Sequence, residues 1–294
     1  MDFDKPADRG RSTRVGAAYS ALIGWGATKT VPHLLRPLAY RAFARAVGAN
    51  LEEAELELDA YASFGDFFAR RLRHGARAID PDRHAIISPC DGVVAAVGTT
   101  DNGTLVQAKG RHYTLAELLA SDTLARKFEG GAYVTIYLSP RDYHRVHTPY
   151  AGRVRAYGYV PGALWPVNPR VVSRVDGVFS RNERVVIELN CPELGEVALV
   201  MVGAAGVGNI VLHGRGDGSA ADQPLSSARL RGAGERHRME LDTPVARGDE
   251  LGAFRLGSTV ILVFGRDRAR LAVVEGQTLA FGEAIGLVGG AGRE

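Results

Sequence analysis

The sequence predicts an α+β protein with a mainly antiparallel β core, sandwich-like or barrel-like, preceded by N-terminal amphipathic helices. Three observations predict it. Residues from about 12 to 75 carry apolar side chains at helical spacing, whereas from about 85 onward short valine and isoleucine runs alternate with turn residues. Those runs are not interleaved with long helices, which favours antiparallel sheets. Thirty-six glycines, many flanking the runs, supply frequent turns. At 294 residues, 46% of them hydrophobic, the chain can fill a core. A formal charge of +3 is too small to mark a nucleic-acid binder. Cys90 and Cys191, without C-x-x-C spacing, give no disulfide framework and fit a reducing compartment.

The first helix is expected within the uncharged stretch Val15 to Thr28, where Ala17, Ala18, Ala21, Leu22 and Trp25 recur at helical spacing. Its length as a helix, about 21 Å, falls short of a hydrocarbon core of roughly 30 Å, so it does not cross a bilayer. Asp2, Asp4 and the lack of a small-residue cleavage site argue against a secretory signal. A second helix, His33 to Val47, carries Leu34, Leu35, Leu38, Ala39 and Ala42 on one side, interrupted by Arg36, Arg41 and Arg45. Two successive apolar helices with little to cover read as a membrane-associated element over residues 15 to 48. Asn50 with Glu53 predicts a capped helix over Leu51 to Leu58, and Ser63 with Asp66 one over Phe64 to Leu72. In the latter Phe64, Phe67 and Phe68 form a stripe, and Arg70, Arg71 and Arg73 crowd its end. The stripe either packs on the β body, with the arginines on the helix dipole, or serves as an interfacial anchor. Residues 1–75 are thus expected to form a helical, membrane-associating region and residues 76–294 a β-rich domain that carries the candidate catalytic residues.

Strands are expected at Gly92 to Val97, Tyr133 to Leu138, Arg153 to Val160, Arg184 to Leu189, Val197 to Val202, Asn209 to Leu212, Glu250 to Phe254 and Thr259 to Phe264, with a short helix at Thr114 to Leu119. Gly214 to Ala221 is polar and glycine-rich, a surface loop or a lid.

Leu256-Gly257-Ser258-Thr259 opens the last expected strand. Gly-Ser is ordinary turn chemistry, but the Ser258 hydroxyl could also attack the Gly257 carbonyl; elimination from the resulting ester, followed by loss of ammonia, would leave a pyruvoyl group. His144 and His147 follow the strand ending at Leu138 and the turn Ser139-Pro140-Arg141-Asp142, in a segment that reads as extended. Two imidazoles three apart suggest a metal, yet there is no H-E-x-x-H helix and no cysteine pair, so no metal is expected. Asp91 stands in the turn Ser88-Pro89-Cys90-Asp91-Gly92. Asp91, His147 and Ser258 together supply an orienting acid, a base and a hydroxyl nucleophile. The serine does not sit in a G-x-S-x-G elbow, which turns attention to its own preceding peptide bond.

In these residues the chain resembles the phosphatidylserine decarboxylases of the bacterial, membrane-associated type. The similarity runs from about Phe64 to Phe264 through Phe67-Phe68-Ala69-Arg70, Ser88-Pro89-Cys90-Asp91-Gly92, Tyr137 to His147, Val160-Pro161-Gly162, Val167-Asn168-Pro169, Phe179 to Arg184, and Gly248 to Phe254 leading into Leu256-Gly257-Ser258-Thr259. The resemblance implies self-cleavage between Gly257 and Ser258, driven by Asp91, His147 and Ser258, into residues 1–257 (beta chain) and 258–294 (alpha chain). It implies a covalent pyruvoyl cofactor made from Ser258, which forms a Schiff base with phosphatidylserine and releases carbon dioxide and phosphatidylethanolamine. His144 is implied as the proton donor of that step. A homodimer, bound peripherally at the cytoplasmic face of the cell membrane and serving phospholipid biosynthesis, belongs to the same expectation; nucleic acid does not.

The residues also admit a pyruvoyl decarboxylase of a small soluble amino acid, a serine hydrolase, or a non-catalytic β-rich module in which Asp91-Gly92 and Gly257-Ser258 are turns. Gly203-x-x-Gly206-x-Gly208 lacks both G-x-G-x-x-G and a P-loop lysine, so no nucleotide site is expected.

Overall fold

The structure, a computed structural model, describes residues 29–108, 111–204, 210–212, 225–227, 236–255 and 258–289. The helix expected within Val15 to Thr28, the loop Gly214 to Ala221, the glycines at 206 and 208, and Leu256-Gly257 lie outside the described residues.

Helix α1 (Arg36–Val47), preceded by a 3-10 turn at His33–Leu35, ends at Gly48 with φ of 80°, the left-handed conformation glycine accepts most readily. It buries Tyr40 and Ala44. Helix α2 (Phe64–Phe68) starts where Ser63 Oγ accepts the Asp66 N–H at 3.1 Å. The Tyr40 ring stacks on Phe67 at 4.7 Å and meets Phe64 edge-on at 5.1 Å, while its hydroxyl donates to the Tyr61 carbonyl. The aromatic stripe is therefore internal packing. Leu34, Leu35 and Leu38 remain 91%, 54% and 69% exposed. Among the described residues no helix is long and apolar enough to cross a membrane.

The helix expected over Leu51 to Leu58 does not form, and α2 stops short of Leu72. Both segments spend their backbone groups on each other: Ala54 bridges Leu72, Glu55 N–H donates to Arg71 O, and Arg73 N–H donates to Glu53 O. Asn50 Oδ1 accepts from Glu52 N–H in a local turn, and a 3-10 turn follows at Leu58–Ala60.

The β body runs β1 (Ala85–Ile87), β2 (Gly92–Thr99), β3 (Thr104–Ala108), β4 (Arg111–Thr114), helix α3 (Leu115–Leu119) with a Thr114/Glu117 capping box, β5 (Ala132–Leu138), β6 (Arg145–His147), β7 (Gly152–Val160), β8 (Arg184–Cys191) and β9 (Gly195–Val202). It continues with β10 (Ile210–Leu212), β11 (Leu225–Ser226), β12 (His237–Val245), β13 (Glu250–Phe254), β14 (Ser258–Phe264), β15 (Ala269–Leu271), β16 (Thr278–Leu279) and β17 (Ala284–Val288). The main sheet has the order β12-β7-β8-β9-β14-β5-β2-β16, paired antiparallel throughout. Smaller sheets β11-β10-β13-β6 and β1-β17-β15 and the hairpin β3-β4 complete it.

The main sheet does not close into a barrel, because β12 and β16 are its separate edges and not partners of each other. One face of that sheet, through Val185, Leu199, Val260 and Leu262, packs on Val146, Ile210, Leu251 and Phe254 of the four-stranded sheet. The opposite face, through Val186, Val200, Ile261 and Val263, packs on Leu115, Leu118, Leu119 and Phe179. Covered on both faces, every residue of β14 is buried, which explains its uninterrupted apolar run.

Gly92 fixes the approach of β2 to β5. Its φ is +155°, and a Cβ there would lie 2.6 Å from the Tyr137 carbonyl oxygen and 2.7 Å from Ile136 Cγ2. Gly92→Ala is expected to lower unfolding free energy by about 1–3 kcal/mol, by the cost of forcing extra atoms into a packed core. Urea unfolding checks this, and an unchanged midpoint would contradict it.

Candidate active site

Strand register brings the sequence-derived residues to one rim of the main sheet. Ser258 pairs with Leu138, Thr259 with Tyr137, and Tyr137 in turn with Val93, so the starts of β14 and β2 flank the end of β5. Beyond Leu138 the chain turns, with Asp142 accepting from both the N–H and the hydroxyl of Ser139, and then enters β6. Strand β6 lies along β13, which leads back toward Ser258: Phe254 N–H donates to the His144 carbonyl, and His147 pairs with Glu250. His147 thus ends the strand beside β13, and His144 stands immediately before that strand, bonded through its carbonyl to Phe254. Side-chain alternation puts Ser258 on the same face as Val260, Leu262 and Phe264, the face covered by β6 and β13.

Ser258 is fully buried and its Oγ has no hydrogen-bond partner. His144 is also fully buried. Its Nδ1 lies 2.8 Å from the Asp142 carbonyl oxygen, which only accepts, so Nδ1 carries the proton and Nε2 a lone pair. That Nε2 is buried without a partner. The ring meets Phe68 edge-on at 4.5 Å. Burial pushes the His144 pKa down to about 3, with the Asp142 carbonyl opposing and Arg70 adding to the depression.

His147 donates from Nδ1 to the Gly248 carbonyl at 2.9 Å, leaving Nε2 to accept from the Tyr143 hydroxyl at 3.0 Å. Its ring stacks on Phe281 at 3.8 Å, and burial pushes its pKa down to about 4. Both imidazoles are therefore neutral near pH 7, so a proton given by His144 has first to be taken up there.

Asp91 is clamped from the other side. Arg77 Nη2 lies 2.6 Å from Oδ2 and Arg77 Nε 3.0 Å from Oδ1, while Phe281 N–H donates to Oδ1 at 2.7 Å. The same guanidinium holds Glu53 at 3.0 Å, and its pKa is raised chiefly by the Asp91 hydrogen bonds. Asp91 makes no hydrogen bond to His147; Phe281 links them, its N–H on the carboxylate and its ring on the imidazole. Asp91, His144, His147 and Ser258 share one rim with no direct hydrogen bond between any two of them.

Helix α2 closes the site. Besides the Phe68–His144 contact, Arg145 Nε donates to the Ala69 carbonyl at 2.9 Å and Arg255 Nη2 lies 3.5 Å from Asp66 Oδ1. Sequence reasoning missed Arg77 and Phe281, which lie 14 and 190 positions from Asp91 in segments without periodic pattern. Tyr143 was legible only as a neighbour of the histidines. Among the described residues, no group of three or more His, Cys, Asp and Glu side chains is arranged to hold a metal ion.

The sequence pattern of the phosphatidylserine decarboxylase family matches residues 64–287. The chain is 46% identical over 272 residues to the phosphatidylserine decarboxylase proenzyme of Anaeromyxobacter sp. (strain K), covering 92% of both chains. It is 40% identical over 274 residues to the proenzyme of Myxococcus xanthus, covering 92% of this chain and 94% of that one. With the proenzyme of Pseudomonas fluorescens the identity is 41% over 251 residues, covering 84% and 85%.

The buried histidines make folding acid-sensitive. An unfolded histidine titrates near about 6.5, whereas His147 and His144 hold no second proton in the fold until about 4 and about 3. The unfolded chain therefore binds more protons through this window, and stability falls as pH drops from about 6.5 toward 4. Thermal unfolding from pH 7 to pH 4 should show a falling midpoint whose slope is shallower in His144→Gln. Equal slopes in the two proteins would contradict this account.

Proposed function

The chain belongs to the phosphatidylserine decarboxylase family, and from that premise we propose that it cuts itself between Gly257 and Ser258 and converts phosphatidylserine to phosphatidylethanolamine and carbon dioxide. It is a carboxy-lyase made as a proenzyme. The observation that carries the site assignment is a pair of fully buried polar atoms without partners, Ser258 Oγ and His144 Nε2, on the rim that also holds Asp91 and His147. Buried polar groups are normally paired, and the exceptions need a reason.

In the maturation step Ser258 Oγ attacks the Gly257 carbonyl carbon, and the acyl group moves from nitrogen to oxygen. Loss of the Ser258 α-proton expels the Gly257 carboxylate, and water replaces the freed nitrogen, which leaves as ammonia. His147 is the base for the hydroxyl. Tyr143 occupies its Nε2, so the proton either passes through the Tyr143 hydroxyl or arrives once that hydroxyl has turned away. Arg77 and the Phe281 N–H hold the Asp91 carboxylate in place, and its charge acts on His147 in the direction that favours the transient imidazolium.

Ser258 begins a strand fixed on both sides, a fit for a residue rebuilt in place into a pyruvoyl group. That group would supply a ketone to capture the substrate amine and an electron sink for the bond to the departing carboxylate. His144 Nε2, buried and without a partner, is the proton donor to the former α-carbon, and because the imidazole is neutral at rest that proton is first taken up at Nε2 within the substrate complex. Burial disfavours the imidazolium, so the returned proton comes from a strong donor.

Residues 1–75 then act as the membrane-associating region at the cytoplasmic face. The exposed Leu34, Leu35 and Leu38 support this, standing opposite the packed Tyr40 side of α1 and among Arg36, Arg41 and Arg45.

Mass analysis of the purified protein under denaturing conditions should find residues 1–257 and a 258–294 fragment that begins with a pyruvoyl group, and Ser258→Ala should remain one chain without decarboxylase activity. An intact wild-type chain, with full activity in Ser258→Ala, would sink the proposal. In sedimentation with phosphatidylserine vesicles, the double variant Leu34→Asp, Leu38→Asp should bind at least about tenfold more weakly than wild type, since each leucine forfeits roughly 1.5 kcal/mol of burial. Undiminished binding would remove this surface from the membrane contact.

A further inference from the structure

Arginines ring the site, and most are paired. Arg77 holds Asp91 and Glu53, Arg145 and Arg71 share Glu250, Arg141 faces Asp142, and Arg255 reaches Asp66. Arg70 is different. It is only 4% exposed, forms no ion pair among the described residues, and its Nε is buried without a partner. Its remaining contacts are a long bond from Nη2 to the Arg141 carbonyl, at 3.5 Å, and the Phe67 ring 5.2 Å away. Neither neutralises a buried cation, which is costly to leave unpaired, and the two carboxylates whose charges also bear on it, Glu53 and Asp91, are already held by Arg77.

Its location narrows what the missing anion is. Arg70 follows Phe68 and Ala69, which touch His144 and the Arg145 side chain, and its Nη2 reaches the carbonyl three residues before His144. The guanidinium also bears electrostatically on His144. Tyr61, in the same aromatic cluster as Phe67, is likewise buried and bears electrostatically on Arg70. This wall lies beside the imidazole that the decarboxylation uses.

We propose that Arg70 binds the phosphodiester of the lipid headgroup, an inference that rests on the decarboxylase reading above. The substrate carries two anions, and only one suits a buried guanidinium. Pairing with the carboxylate would stabilise the ground state more than the transition state, in which that charge is leaving, and would slow the reaction. The phosphodiester keeps its charge throughout, lies a few bonds from the reacting amine, and matches the guanidinium fork. Arg70 thus anchors the part of the headgroup that does not react.

The test uses self-processed enzyme with phosphatidylserine in mixed micelles. Arg70→Gln should still cut itself into two fragments, raise KM by at least about tenfold and change kcat by less than about threefold, since the lost contact is equal in ground and transition states. Arg70→Lys should fall between the two. On wild type, glycerophosphoethanolamine should inhibit at least about tenfold more strongly than ethanolamine, and Arg70→Gln should lose that preference, as expected for a lost charged hydrogen bond. A wild type that does not distinguish the two inhibitors overturns the proposal even if Arg70→Gln fails to fold. So does an Arg70→Gln enzyme with unchanged KM and inhibitor preference, or one that loses kcat alone. If wild type cuts itself but does not turn over phosphatidylserine, the decarboxylase reading itself fails, a result distinct from all of these.

Discussion

The pairing of Ser258–Phe264 on both sides is the constraint from which the site follows. Ser258 to Val263 pair with β5, and Thr259 to Phe264 pair with β9. The serine is positioned by its backbone pairing with Leu138 of β5 and by the two ladders that hold the rest of its strand from Thr259 on, not by a hydrogen bond to its own side chain. Its Oγ stays unengaged while its α-carbon is fixed within the sheet. The histidines are tied to the same frame, because β5 leads into β6 and β6 lies along the strand that leads to Ser258. Precision comes from regular structure, the more exact support for a reacting group.

Charge at the rim is divided unevenly. Asp91, Glu250 and Asp66 are each held by arginine, while the two imidazoles are held by backbone carbonyls and aromatic rings. Burial therefore sets the proton affinity of the histidines, and the ion pairs stand around them. Neutral imidazoles with fixed tautomers can accept protons at Nε2, the task both are given in the proposed chemistry.

Much of this was legible in the sequence. Apolar runs located the strands of the main sheet apart from its two edges, and Glu250–Phe254 was found with its observed bounds. Strand β12 escaped because its charged residues, such as Arg238, Glu240 and Asp242, hide the alternation of a half-exposed edge. The helix signalled at Asn50 failed because a cap is a local preference and the ladder between residues 53–55 and 71–73 is a tertiary one. Asp91, His144, His147 and Ser258 could be singled out as residues. Their surroundings could not: Arg77 and Phe281 reach Asp91 only through the fold, and the unpaired state of Arg70 is a property of burial.

The strands that follow Ser258 are distributed through the body. Strand β14 is internal to the main sheet, β16 pairs with β2 at its edge, and β15 and β17 form the smaller sheet with β1. A cut before Ser258 therefore makes two polypeptides with one shared core. Folding of the uncut chain is unimolecular, but renaturation of the cut protein is an association whose midpoint depends on concentration. Each molecule then has one unimolecular folding event, completed before the bond is broken, and afterwards persists by the slowness of its dissociation.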